Sequence, residues 1–283
     1  MEKMDGGGQA GLWNAGAGQA WVEEQDVIDE MFRPIEGLLL EAAGTGGVSR
    51  VLDVGCGAGG TTLALARRFG PGARCVGIDI SAPMVDAARR RAAQAGMPLE
   101  FVCADAQRHA LAAGSFDLVV SRFGVMFFDD PVAAFASLRR ATRPGGRLCF
   151  VAWRAPGENP FMTAAERAAR PLLPQLPERQ ADEAGQFGLA SEERIRGILG
   201  QAGWEGLDLV RADVRCSFPE RELGGYLERM GPVGRALEQA GKELRREVIA
   251  RIRPAFDPYV DGASVRFTAA CWLVQAHAPH GSA

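Results

Sequence analysis

No apolar run in this 283-residue chain approaches the ~20 residues that a membrane-spanning helix needs, so no membrane partner is expected. There is no long basic run either, and the formal net charge is −3. Nothing therefore calls for nucleic acid or an anionic surface as a partner. Six cysteines are present (Cys56, Cys75, Cys103, Cys149, Cys216 and Cys271), and no two of them form a C-x-x-C pair. A zinc site, or a metal site of any other kind, has no support. Five of the six lie in or beside apolar runs and read as reduced, buried thiols. Residues 1–8 are polar and glycine-rich, without the basic-then-apolar order of a secretory signal. Together with reduced thiols this points to the cytoplasm. Beyond that start there is no repeat and no low-complexity tract. What is there is ordinary: 47% hydrophobic and 24% charged residues, enough to bury the core of one large domain or two modest ones.

Residues 1–20, rich in glycine and alanine, read as irregular. Val27, Ile28, Met31 and Phe32 then recur at helical spacing, and Pro34 is placed to start a second helix carrying Ile35, Leu38 and Leu39. From Arg50 the pattern changes. Short apolar runs predict strands at 51–54, 75–80, 99–103, 116–120 and 148–153. Helices fall between them: one over 61–69, one behind Ser81 as N-cap, and one opened by Asp130-Pro131. Continuously apolar strands alternating with helices argue for an α/β fold with a mostly parallel sheet covered on both faces. After Trp153, five prolines (Pro156, Pro160, Pro171, Pro174 and Pro177) break the pattern around a short helix at 161–170. Ser191 caps another helix, 207–216 reads as a strand, 219–257 as helical and 265–274 as a final strand.

Gly55-Cys56-Gly57-Ala58-Gly59-Gly60 follows the first strand and opens a helix, satisfying G-x-G-x-x-G, and Asp79 lies about twenty residues on. Glycines let the chain turn sharply and let a ligand come close to the backbone. Nicotinamide and S-adenosylmethionine sites share this device, so the loop alone does not choose between them. Asp53, two residues before Gly55, does discriminate. A carboxylate there would repel a pyrophosphate and attract an amino-acid ammonium.

Val51-Leu52-Asp53-Val54-Gly55-Cys56-Gly57-Ala58-Gly59 resembles the first motif of class I S-adenosylmethionine-dependent methyltransferases. Gly77-Ile78-Asp79-Ile80-Ser81 resembles their second-strand acid, Cys103-Ala104-Asp105-Ala106-Gln107 their third, and 116–123 their fourth-strand motif. Arg143-Pro144-Gly145-Gly146 resembles the turn before their fifth strand. The closest branch is the ubiquinone-methyltransferase-like one, which acts on small molecules. The resemblance implies a Rossmann-like, doubly wound, mostly parallel seven-stranded sheet with an antiparallel last strand, plus helical cap insertions. It divides the chain into an N-terminal helical cap (1–48), a cofactor-binding core (49–153), an inserted lid (154–190) and a C-terminal part (191–283) with a helical insertion at 219–257. It implies S-adenosylmethionine as cofactor and S-adenosylhomocysteine as product. Cofactor contacts are expected at Asp53, Gly55, Cys56, Gly57, Thr61, Asp79, Ile80, Met84, Asp105, Ala106, Ser121, Arg122 and Phe123. Asp79 would hold the ribose hydroxyls and Asp105 would meet the adenine.

Trp13, Asn14 and Trp21 are unusual in a glycine-rich stretch, and either close over the cofactor or anchor the segment to the sheet. His109 reads as a surface residue, His277 and His280 as parts of a tail, and Arg245, Arg246, Arg251 and Arg253 as a solvated helix face. A sulfonium methyl needs an acceptor atom held in line and water kept out, with a base only where the acceptor is a hydroxyl. Arg122, Arg154, Glu158, Asn159 and Tyr226 are the candidates at the active edge, with no single base singled out. Phe161, Met162, Phe187, Leu223, Tyr226 and Met230 predict a fairly hydrophobic small-molecule acceptor. The chain would act as a monomer or homodimer. The competing functions are an NAD-dependent oxidoreductase and a protein that binds S-adenosylmethionine without methylating. A nucleic-acid methyltransferase is disfavoured by the acidic balance and by Ser121-Arg122-Phe123-Gly124 after the fourth strand, where an Asn-Pro-Pro-Tyr motif would stand.

Overall fold

The computed structural model describes residues 8–179 and 183–280. The glycine-rich start up to Gly7 lies outside the described residues. The sheet contains β1 (Arg50–Val54), β2 (Arg74–Asp79), β3 (Glu100–Cys103), β4 (Phe116–Arg122), β5 (Thr142–Trp153), β6 (Glu205–Pro219), β7 (Val260–Asp261) and β8 (Ser264–His277). Its order is β3-β2-β1-β4-β5-β8-β6, with β7 paired to β8. The first five strands run parallel, while β8 is antiparallel to both β5 and β6. This is the expected Rossmann-like sheet with a reversed last strand. The difference is the two-residue β7, which forms a hairpin with the start of β8.

Eleven helices surround it among the described residues: α1 (Gln9–Asn14), α2 (Gly16–Glu23), α3 (Gln25–Ala43), α4 (Gly60–Phe69), α5 (Ala82–Gln94), α6 (Pro131–Ala141), α7 (Pro160–Ala169), α8 (Glu192–Gln201), α9 (Leu223–Arg229), α10 (Gly231–Glu238) and α11 (Lys242–Ile252). The segment read as irregular is therefore helical from Gln9 onward. Its glycines and alanines carry little helical signal, and tertiary contacts decide the outcome. Pro34 does not start a helix but sits inside α3. Its ring is on the exposed side, while Val27, Ile28, Met31, Phe32, Ile35, Leu39 and Ala43 bury an unbroken stripe on the other. Water can take the carbonyl that proline leaves unbonded, so burial of the stripe outweighs the missing N–H.

That stripe packs on β4, β5 and β6. Arg147 and Gln275 donate side-chain N–H groups to the carbonyls of Ala43 and Ala42, fixing the helix end. Asp130 and Ser191 cap their helices through their side chains. Ser81 stands at the N-cap position but does not cap. Its hydroxyl donates instead to the Trp13 carbonyl at 2.7 Å, so it tethers the N-terminal helices to the end of β2. His277 belongs to β8, not to a tail, and its ring covers Gly206. Of the four arginines read as a solvated face, Arg246 and Arg251 are exposed. Arg245 donates to the Leu237 carbonyl and Arg253 pairs with Glu220 and Asp257. All six cysteines are free, and only Cys103 is exposed. No helix among the described residues is long and apolar enough to cross a membrane.

Candidate active site

Strand order places the ends of β1, β2 and β3 side by side, with Asp53 paired in register to Gly77 and Asp79 to Cys103. A cavity of about 390 Å³ opens at this carboxyl edge, where ligands bind in open α/β sheets. Its floor includes Gly55, Gly57, Asp79, Ile80, Met84, Asp105, Ala106, Arg122 and Phe123. The sequence nominated all nine of these, and the fold brings them together.

The glycine loop is held from within the protein. Gly55 and Cys56 donate their N–H groups to the Ile78 carbonyl, Gly59 to the Cys56 carbonyl, and Gly57 to Asp79 Oδ2 at 2.8 Å. Gly55, at φ +67°, lies so close to the next loop that a Cβ would sit 2.5 Å from the Gly124 Cα. Ser121 clamps the same two loops. Its hydroxyl donates to the Val54 carbonyl and accepts from the N–H groups of Gly124 and Val125. With four loop amides taken by protein acceptors, little of the loop is left to cradle a phosphate. The groups turned toward the cavity are carboxylates.

Asp79 is buried, and its two oxygens accept from Ser81 and Gly57 N–H. Desolvation raises its pKa against the pull of those amides. Asp105 is half-buried and accepts from Gln107 N–H at 2.9 Å. Asp53 does not line the cavity. It is 1% exposed; Oδ2 accepts from the Thr62 hydroxyl at 2.6 Å, and Oδ1 has no partner. Burial pushes its carboxyl up to about 7, only partly opposed by the Thr62 hydrogen bond and by Arg122. It is a buried acid directly behind the loop.

Three further nominated residues lie outside the cavity wall: Cys56, Thr61 and Ser121. The Cys56 side chain packs with Leu63, Val85 and Ala88 behind the loop. Thr61 is buried in the first turn of α4, and Ser121 is spent on the clamp. Arg154, Glu158 and Asn159 are also corrected as catalytic candidates. Arg154 is buried in ion pairs with Glu158 and Asp213. Asn159 bonds the carbonyls of Arg154, Ala155 and Ala270 and accepts from Ala270 N–H. The Arg154 side chain ties the end of β5 to β6 through Asp213, and Asn159 ties it to β8 through Ala270. Arg122 does reach the cavity and lies 3.7 Å from Asp29 of α3. Tyr226 reaches it too, with a phenol whose pKa burial drives upward, so it stays protonated.

Phe123 has the only positive φ (68°) of a non-glycine residue described. Its ring stacks on Trp153 at 4.5 Å and meets Phe32 edge-on. Such backbone strain, on the order of 1–2 kcal/mol, persists where packing over-determines it and concentrates at functional sites.

The N-terminal tryptophans reach the cavity, and the Trp13 carbonyl ties the segment to Ser81 at the end of β2. Trp13 and Trp21 line the cavity, and Trp13 meets Phe127 edge-on at 5.2 Å. Asn14 lies outside the wall and pins α1 in place, donating to the Ile80 carbonyl and accepting from Ala82 N–H. The segments after β5 bring Phe161, Met162, Tyr226, Met230 and Phe256 to the wall. Phe161 is the hub of this roof, ringed by Phe218, Tyr226, Phe256, Tyr259 and Phe267. Phe187 and Leu223 do not reach the cavity; Arg179 lies over the Phe187 ring. Sequence reasoning missed the four further charged wall residues, Glu166, Arg179, Arg229 and Arg235. Glu166 carried a signal, since it stands one helical turn from Met162 on the apolar side of α7. The arginines carried none.

Residues 52–150 match the family model described as a methyltransferase domain. The chain is 35% identical over 212 residues to nocamycin O-methyltransferase of Saccharothrix syringae, covering 74% of this chain and 73% of that protein. It is 34% identical over 185 residues to an uncharacterised protein of Mycobacterium tuberculosis, covering 65% of this chain and 64% of that protein. Thus it spans just under two thirds of the length of this relative. In fold it is similar to phosphoethanolamine N-methyltransferase 2 of Haemonchus contortus, solved with S-adenosyl-L-methionine. That likeness has a TM-score of 0.60 and 18% identity, covering 95% of this chain and 59% of that one. On the shared strand-end motifs, the sheet they build and the length of these matches, the chain belongs to the class I S-adenosylmethionine-dependent methyltransferases.

Proposed function

We propose that this chain transfers the methyl group of S-adenosylmethionine to an oxygen, nitrogen or carbon atom of a small, largely apolar acceptor. The observation that carries the reading is the two-ended cavity, with carboxylates and a self-bonded glycine loop at one end and an aromatic roof at the other. The residues fit the cofactor. Asp79 retains lone pairs for ribose hydroxyls, Asp105 stands at the next strand end, and Met84 lies beside Gly57. The orphaned Oδ1 of buried Asp53 is matched by a cationic amine, directly or through water. When bound, S-adenosylmethionine supplies a methyl group already activated by its sulfonium. The protein's share is then positioning and dryness. The roof of Phe161, Tyr226 and Met230 holds the acceptor in line, while Trp13 and Trp21 close the N-terminal side against water. Tyr226, held protonated, is suited to donate a hydrogen bond rather than to act as base. A cytoplasmic setting goes with this reading, supported by six unpaired thiols.

Calorimetric titration of the full chain with S-adenosylhomocysteine and with NAD tests the cofactor end. Binding of S-adenosylhomocysteine alone is expected, and binding of NAD alone would overturn the assignment. Incubation with S-adenosylmethionine and a panel of apolar and polar acceptors, read by mass spectrometry, tests the other end. Methylation of only small, highly polar acceptors would refute it.

A further inference from the structure

Four arginines line the cavity, Arg122, Arg179, Arg229 and Arg235, and three of them are accounted for. Arg122 faces Asp29 at 3.7 Å. Arg229 is bonded to Glu24 and lies 3.6 Å from Glu23. Arg179 grips both oxygens of Glu166 and donates to Gln186 as well. Glu166 is thereby neutralised where it stands. Arg235, in the second turn of α10, has no hydrogen bond or ion pair with any described residue. Glu166 and Glu238 act on it only at longer range. Its side chain is partly buried; it lines this cavity together with Met230 and Val233, and also a neighbouring pocket with Leu176, Pro177 and Leu244.

A guanidinium is expensive to leave partly desolvated and unpaired, and its fork matches a carboxylate in a two-point contact. We propose that Arg235 selects the acceptor: it binds a carboxylate carried by a molecule whose remaining surface is apolar. The inference rests on the reading that the roofed end of the cavity holds the acceptor. It narrows that reading from an apolar molecule to an amphipathic acid. The aromatic roof takes the hydrocarbon, and the unpaired cation fixes which way round it lies.

The test uses the full chain saturated with S-adenosylhomocysteine and two probes of one shape, 2-naphthoate and 2-naphthamide, with affinities read by fluorescence titration. The naphthoate is expected to bind at least about tenfold tighter, the range of a charge-assisted pair. Arg235→Met should erase that preference while leaving naphthamide affinity within about twofold, and Arg235→Lys should keep part of it. The S-adenosylhomocysteine titration of each variant reports that the fold survives. Equal affinity of the two probes for the unaltered chain, or a naphthoate preference that persists in Arg235→Met, overturns the proposal and leaves the cavity reading intact. If neither probe binds, the acceptor reading and this proposal fall together.

Discussion

Asp53→Asn separates what this site needs from what the fold prefers. Desolvation raises the Asp53 carboxyl from an ordinary 3.8 to about 7, with Oδ1 unpartnered. At about 1.36 kcal/mol per pH unit, the ionised carboxylate destabilises the fold by roughly 4 kcal/mol. The sign follows from proton counts. Between about pH 4 and pH 7 the unfolded chain has released this proton and the folded chain has kept it. Stability therefore falls as pH rises through that window, and the full penalty is present above it. An asparagine at this position does not titrate, and its amide oxygen can still accept from the Thr62 hydroxyl. The variant should gain on the unaltered chain by up to about 4 kcal/mol between pH 4 and pH 8. For a chain of this size that is a Tm difference of roughly 6–8 °C. Differential scanning calorimetry across the pH series measures it. Asp79, whose carboxyl is also raised, titrates in both proteins, and because its charge is one of those that push Asp53 up the substitution also eases the ionisation of Asp79. The same variant should lose most of the Tm rise that S-adenosylhomocysteine gives the unaltered chain. A stability gap that does not widen between pH 4 and pH 7, or a ligand response that survives the substitution, would refute the account of Asp53 as a charge kept for its ligand.

Other changes probe the remaining parts of the frame. Asp79→Asn sets an amide N–H against either Gly57 N–H or Ser81 N–H. It should weaken S-adenosylhomocysteine binding about 10- to 100-fold by calorimetry, and an unchanged affinity would remove Asp79 from the ribose role. Gly124→Ala places a Cβ 2.6 Å from the Val54 carbonyl and 2.7 Å from the Gly55 Cα. Neither backbone atom can give way, so denaturant unfolding should show a loss of roughly 1–3 kcal/mol. Arg154→Met removes the cation between Glu158 and Asp213. Both acids keep access to water, so a loss of about 1–3 kcal/mol is expected with cofactor affinity unchanged. A fall in affinity without loss of stability would return Arg154 to the site.

Local chemistry determined the strand-end half of the cavity. Each strand-end motif lies within a few consecutive residues, so Asp79, Asp105 and the glycine loop are placed by their own strands once those strands stand side by side. The repeated change between apolar runs and helical spacing likewise fixed the sheet and the direction of its first five strands. Where the sequence went astray, long-range contacts had overridden a local signal. Residues 9–20 read as irregular because alanine and glycine are silent about packing, and α3 runs through Pro34 because its buried stripe outweighs one hydrogen bond. Only the tertiary structure could say which way a side chain in a correct motif turns. Asp53, Thr61 and Ser121 share motifs with cavity residues, yet Asp53 turns to Thr62, Ser121 is used in the loop clamp and Thr61 is buried in the first turn of α4. At the roofed end the sequence pointed to Phe161, Met162, Tyr226 and Met230 but not to the charges among them. Glu24, Glu166, Arg179, Arg229 and Arg235 come from separate segments, and no spacing in the sequence pairs them. Which of these charges is paired, and that Arg235 is left over, is decided by the packing of α7, α9 and α10 over the sheet.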